Sequence, residues 1–306
     1  MDPFIKNLSE IIRNTDMNNT YKMVWIRSIV ETCVLNPTVE IIHFDDLSPK
    51  IFGYYWNQTI FFGLEQGPNP HKRPEIHQIV LELVDRYRQE NGYQPVFFSK
   101  VEKIISIPVT KISSVLRKDV CHRFQKTDEI YDLDRENRTI RPHRPDLIRN
   151  YSDILFDLIN YRWTQELETF NTSPRISKKV KGTNIEKFKR RPLRDFHIYL
   201  NLENPDHICF HTGEPIEDTN LSVDHVIPWS YLYSDDLWNL VYVHKSHNSS
   251  KGNKIPSQKT IGQLEERNRE LIKLVEKEHP KDKLTEELRL SIENNLVRKS
   301  WVGCKG

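Results

Sequence analysis

The chain has 306 residues, 37% of them hydrophobic and 29% charged, with six Trp and a mean hydropathy of −0.65. This composition excludes a disordered or membrane-embedded chain, and the length allows two domains at roughly 100 to 200 residues each. The net charge of +2 balances 45 basic against 43 acidic residues and names no partner. No apolar run approaches the about 18 residues of a membrane span. The first thirty residues lack the basic, apolar, small-residue order of a signal peptide, so a cytoplasmic location is expected. Four cysteines, Cys33, Cys121, Cys209 and Cys304, lie far apart without a pairing rhythm, which predicts reduced thiols.

Residues 1–170 read as a mostly helical N-terminal domain. "YKMVWIRSIVETCVL" is dense in apolar residues, "VEIIHF" is a short strand candidate, and Asp45 or Asp46 is placed to cap a helix through "LSPKIFGYYWNQ". Helix, strand, helix with aromatics loosely resembles a winged-helix arrangement with a DNA-reading helix; the competing account is core packing of Tyr54, Tyr55 and Trp56. In "PEIHQIVLELVDRYRQ" apolar residues from Ile76 to Tyr87 recur at three- and four-residue steps, a helix opened near Pro74. "EIYDLDRENRTIRP" alternates as a hairpin does, and "RPDLIRNYSDILFDLINYRWTQELETF" reads as one long helix.

Residues 171–195 lose this rhythm and form an expected linker or arm. From Pro174 to Arg194 nine basic residues, Arg175, Lys178, Lys179, Lys181, Lys187, Lys189, Arg190, Arg191 and Arg194, face one acid, Glu186. Such a block commonly meets phosphate backbones, although taken by itself it reads more readily as a solvated linker. Residues 196–259 follow, and then residues 260–306 with two helix candidates, Thr260 to Glu278 and Leu284 to Trp301, separated by "EHPKDK".

The chemistry concentrates in "SVDHVIPWSYLYSDDLWNLVYVHKSHNSSKGNK", residues 222 to 254. Phosphodiester cleavage needs an activated water, a counter-charge for the transition state and help for the departing 3′ oxygen. A neutral imidazole, with its pKa near about 6.5, takes a proton at cellular pH, and a hard divalent cation on oxygen ligands neutralises charge. His225 fits the base and Asp224 the metal. Consecutive strand residues point to opposite faces, so convergence requires an irregularity, which Pro228 and "PWSYLYSDD" provide. "NLVYV" then alternates as a second strand, and "SHNSSKG" opens a short helix carrying Asn248.

From about 206 to 256 the segment resembles the HNH endonuclease superfamily, the ββα-metal nucleases, on "ICFHTGEPI", "VDHVIPWS", "LWNLVYV" and "HKSHNSSKGNK". It looks especially like the HNH modules of RNA-guided CRISPR nucleases and of restriction and defence proteins. The resemblance implies Asp224 and Asn248 as metal ligands, His247 as an alternative ligand, His225 as general base and Asn239 as a loop-tying residue that orients it. Lys251 is a candidate phosphate contact. The implied cofactor is Mg²⁺ or Mn²⁺. Taken together, the expected fold is α+β: a mostly helical N-terminal targeting or partner domain, then a ββα-metal module packed on C-terminal helices.

Many HNH modules carry a structural zinc on two Cys-x-x-Cys knuckles. Here those positions read Cys209-Phe210-His211-Thr212 and His244-Lys245-Ser246-His247. Thr212 cannot replace a thiolate, and Cys209 and His211 are awkwardly spaced, so packing of Cys209, His211, His244 and His247 is expected over structural zinc. The burden of stabilising so small a unit then falls on Leu264, Leu271, Leu274 and Val275 with Leu288, Ile292, Leu296 and Trp301.

The implied activity is nicking or cutting of DNA in bacterial restriction or anti-phage defence, the basic block gripping the backbone without regard to sequence. RNA stays open as a substrate because nothing in residues 206 to 256 reads a 2′-hydroxyl, and it ranks well below DNA. The alternatives are a non-cleaving nucleic-acid-binding module and a nuclease subunit active only within a partner complex.

Overall fold

The computed structural model describes residues 2–125, 129–171, 174–181 and 193–305, with Lys178, Lys181 and Lys305 described for their backbone alone. Contacts divide the chain into two compact units. The first comprises Met1–Arg86, Val96–Asn171 and Ile176–Asn184; the second comprises Tyr87–Pro95, Thr172–Arg175 and Ile185–Gly306.

The elements of the first unit are α1 (Pro3–Asn14), α2 (Tyr21–Leu35), β1 (Ile42–His43), α3 (Phe44–Phe62), α4 (Glu75–Asn91), whose last turns count with the second unit, α5 (Phe98–Val101), α6 (Val109–Val115), β2 (Tyr131–Asp134), β3 (Thr139–Pro142), α7 (Pro145–Asn150), α8 (Ser152–Phe170) and α9 (Ile176–Lys181). Helix α2 buries residues around its whole circumference, Met23, Val24, Trp25, Ile26, Ile29 and Val30 among them, as a central helix must. Tyr54, Tyr55 and Trp56 of α3 are core residues, and both tyrosines meet Trp163 of α8 edge-on. Packing therefore accounts for these aromatics. The hairpin β2–β3 pairs Leu133 with Ile140, and β1 joins its far edge to give an antiparallel sheet of order β1-β3-β2.

Several boundaries differ from the sequence reading. Helix α3 starts at Phe44 with His43 at the cap, and Asp45 and Asp46 fall in its first turn, where carboxylates complement the exposed N–H groups. The long helix over residues 145–170 is broken at Tyr151 into α7 and α8. Within the expected arm, Ile176–Lys181 is helical because Ile176 and Val180, four residues apart, are both buried.

The second unit contains α10 (His197–Glu203), β4 (Leu221–His225), α11 (Trp229–Leu232), β5 (Leu240–His244), α12 (Lys245–Lys251), α13 (Gln258–Glu278), α14 (Lys283–Glu293) and α15 (Leu296–Lys305). Strands β4 and β5 form an antiparallel hairpin in which Asp224 faces Val241 and His225 faces Leu240. Leu240, Val241, Tyr242 and Val243 are all buried, so β5 is covered on both faces. Ile261, Leu264, Leu271 and Val275 of α13, Leu288 of α14 and Trp301 of α15 share one apolar cluster with the hairpin. Each such side chain contributes about 1.5–3 kcal/mol on burial, and the set stabilises the hairpin. Leu274 was expected in this face but is 38% exposed. The final helix candidate is two helices, because Asn295 adopts φ 52°, a left-handed conformation that Asn tolerates and a helix interior does not.

Polar ties reinforce the packing. From α13 the buried Arg267 donates to the Leu240 carbonyl at 2.6 Å and Asn268 to the Trp238 carbonyl at 2.9 Å, pinning the start of β5. At the exit of α12, Gly252 has φ +51°, and a Cβ there would lie 2.7 Å from the Tyr93 carbonyl oxygen. Beside it, Gln94 Nε2 donates to the Ser249 carbonyl at 2.7 Å. The segment Tyr87–Pro95 therefore braces α12. Among the described residues, no helix is long and apolar enough to cross a membrane.

Candidate active site

Asp224 and His225 are the last two residues of β4, and both are buried. Asp224 Oδ2 accepts from Lys251 Nζ at 2.6 Å and lies 3.6 Å from His211 Nε2. Burial pushes this carboxyl up, but the His211 imidazole and the Lys251 ammonium outweigh it and hold the group below the usual carboxylate range. Lys251 also donates to the backbone carbonyl of His225. Burial of its ammonium outweighs the attraction of Asp224 and sets its pKa below that of an ordinary lysine.

His225 is 7% exposed. Its Nε2 lies 2.9 Å from Asp235 Oδ1 in the loop between α11 and β5. A carboxylate only accepts, so this contact selects the tautomer protonated at Nε2 and leaves the lone pair on Nδ1.

Asn239 is 0% exposed and clamps the chain beyond His225. Its Nδ2 donates to the Ile227 carbonyl at 2.9 Å, its Oδ1 accepts from the Ile227 amide at 2.8 Å, and its own carbonyl accepts from the Val226 amide at 2.9 Å. These bonds hold the backbone at Val226 and Ile227, immediately after the imidazole. Asn248 lies on α12, whose first residue follows β5 directly; its Nδ2 donates to Ser222 Oγ at 2.8 Å and the Val223 carbonyl at 3.1 Å. With Nδ2 committed to β4, Oδ1 is the atom left for a ligand.

The fold thus gathers Asp224, Lys251 and Asn248 around β4, with His225 anchored on Asp235 and Asn239 behind it. His247 is exposed on α12, its ring centroid 5.8 Å from that of His211. Among the described residues, no group of three or more His, Cys, Asp or Glu side chains is arranged to hold a metal. Asp224 with Asn248 is a smaller, oxygen-donating set, of the kind that binds a cation together with water and substrate phosphate. The buried His211 Nε2, which faces Asp224 Oδ2 but falls short of full hydrogen-bond distance, fits a cation seated beside that carboxylate.

The knuckle positions have other partners. Burial raises the Cys209 thiol, but donors from Thr212, His244 and His211 bring it below the ordinary thiol value. Gly213 N–H closes the turn onto the Cys209 carbonyl at 2.8 Å, and Phe210 N–H ties it to the Tyr242 carbonyl at 3.0 Å. His244 Nδ1 faces Asn220 Nδ2 at 3.2 Å.

Of the basic block, Arg194 is exposed, and Arg175, with φ 58°, donates to the Tyr233 carbonyl at 2.7 Å. Lys179 is 1% exposed, its ammonium over the Phe62 ring at 5.7 Å, so it is a packing residue of the first unit and is withdrawn from the expected phosphate contacts. Lys178 and Lys181 lie on α9, while Lys187, Lys189, Arg190 and Arg191 lie outside the described residues. Sequence reasoning missed Asp235 as the partner of His225 and His211 as a neighbour of Asp224. The available signals were an acidic pair in the inter-strand loop and a histidine in a degenerate knuckle.

Residues 209–257 match the HNH endonuclease family. The hairpin and helix are therefore an HNH endonuclease domain, and the chain is a nuclease. No curated protein and no solved structure matches the chain.

Proposed function

We propose that the chain is a divalent-metal-dependent DNA endonuclease in which His225 is the general base and Asp224 and Asn248 are the metal ligands. The observation that carries this reading is the pairing at the end of one strand of a buried, ionised carboxylate beside a cation with an imidazole whose Nε2 is committed to Asp235. His225 Nδ1 takes the proton of the attacking water. The water oxygen bonds to phosphorus as the bond to the 3′ oxygen breaks, and that oxygen leaves with a proton from solvent. Asp224 and Asn248 would hold Mg²⁺ or Mn²⁺, whose charge would offset the negative charge gathering on the phosphate. Asn239 keeps the backbone after His225 in place, and Lys251 lends its ammonium to the phosphate once released from Asp224.

Arg175 and Arg194, both exposed, and the other basic residues of the block except Lys179 grip the DNA backbone and make binding salt-dependent. The first unit selects the target or a partner. The setting is restriction or anti-phage defence, supported by the likeness of the motif to the HNH modules of such systems.

The test is cleavage of supercoiled plasmid in Mg²⁺, Mn²⁺ or chelator, with nicked and linear products scored separately. Wild type converts plasmid only with metal, and His225→Ala slows conversion by about 10²- to 10⁴-fold. Unimpaired cleavage by His225→Ala, or cleavage in chelator, overturns the mechanism. Binding without cleavage in both proteins identifies a non-cutting module.

A further inference from the structure

We propose that His211 is a further ligand of the catalytic cation, giving the site an imidazole donor and a preference for Mn²⁺ over Mg²⁺; this rests on the metal-dependent reading above. Three observations carry it. The Nε2 of His211 is buried and aimed at the Asp224 carboxylate, with which it pairs without closing to full hydrogen-bond distance. It lies 3.6 Å from Asp224 Oδ2, whereas neighbouring donors on one octahedral ion at bonds of about 2.1 Å are about 3 Å apart, so a shift of a fraction of an ångström brings both onto one cation. The third observation is that a cation is already held there: the Lys251 ammonium sits 2.6 Å from the same carboxylate oxygen. A divalent cation binding this carboxylate would take the place of the Lys251 ammonium.

The backbone supports this role. His211 rides on the turn closed by the Gly213-to-Cys209 and Phe210-to-Tyr242 hydrogen bonds, so its ring is carried on the hairpin itself and not on a free loop. His247, the histidine expected as the alternative ligand, is exposed and has no contact with Asp224 of this kind. An imidazole donor serves Mn²⁺ and later first-row ions better than Mg²⁺, which favours oxygen.

The experiment uses the full chain with Mn²⁺ as the probe. Mn²⁺ binding is titrated by electron paramagnetic resonance, and spin-echo modulation reads out nitrogen-14 bonded to the ion. Wild type shows the nitrogen modulation. His211→Gln and His211→Asn lose it and bind Mn²⁺ about tenfold or more weakly, with Mg²⁺ affinity changed less, while His247→Gln keeps it. Circular dichroism checks that each variant is folded. Bound Mn²⁺ without nitrogen modulation in wild type, or modulation that survives His211→Gln, overturns the assignment of His211 alone. Failure of wild type to bind Mn²⁺ at all overturns it together with the metal-dependent mechanism.

Discussion

Replacing Asn239 by alanine removes both side-chain hydrogen bonds to Ile227 and leaves a buried N–H and a buried C=O unpaired. Each such group costs about 1–3 kcal/mol, and a water entering the vacated space recovers part of it, so the local penalty is about 2–4 kcal/mol. At 1.4 kcal/mol per factor of ten, amide protection across β4 and β5 falls by roughly 30- to 700-fold in hydrogen exchange. Asn239→Asp behaves similarly, because one oxygen still accepts from the Ile227 amide while the other opposes the Ile227 carbonyl. The clamp holds the chain beside His225, whereas Asp224 is held by other groups. Plasmid nicking should therefore drop steeply while Mn²⁺ affinity stays within about twofold of wild type. Unchanged protection would refute the energetic argument, and full nicking by a variant that has lost protection would refute the orienting role of Asn239.

Two further outcomes follow from other parts of the structure. Lys251→Met frees the Asp224 carboxylate from its built-in cation, so calorimetry should show Mn²⁺ binding tightened by about tenfold or more, with Lys245→Met as the unchanged control on the same helix; equal affinities would show that the ammonium does not compete. In the first unit, burial and then the Arg73 charge lower the His77 pKa to about 3. The unfolded chain binds this proton near pH about 6.5 and the folded one does not. The contribution of His77 is thus complete above that pH and is lost as pH falls towards the folded value, by about 2 kcal/mol at pH 5. Urea unfolding of wild type and His77→Phe should diverge below that pH, and parallel curves would contradict the burial argument.

The nuclease hairpin was legible because its signal is an ordered set of uncommon residues, Asp-His, then Asn239, then Asn248, separated by runs that alternate as strands do. The relations that complete the site were not. Asp235 lies ten positions from His225 in a loop, where no periodicity constrains a side chain, and the knuckle reading of His211 directed attention to zinc. Helix ends were misjudged where one residue decides them: Asn295 breaks a helix through a left-handed conformation, and Asp45 and Asp46 can serve a first turn as well as a cap. Lys179 shows the reverse case, a charge in a basic block whose stem and head are buried by Ile176 and Val180 forming a helical face. The bracing of α12 by Tyr93 and Gln94 spans more than 150 positions of sequence, beyond any local pattern.

That brace makes the nuclease unit discontinuous along the chain. Residues near position 90 are synthesised long before the hairpin they support, and the carbonyl of Tyr93 fits against α12 only because position 252 has no side chain. The HNH module is consequently not a cassette bounded by its own motif: a fragment beginning near residue 196 keeps every residue proposed for chemistry and discards the strap against which its short helix α12 rests.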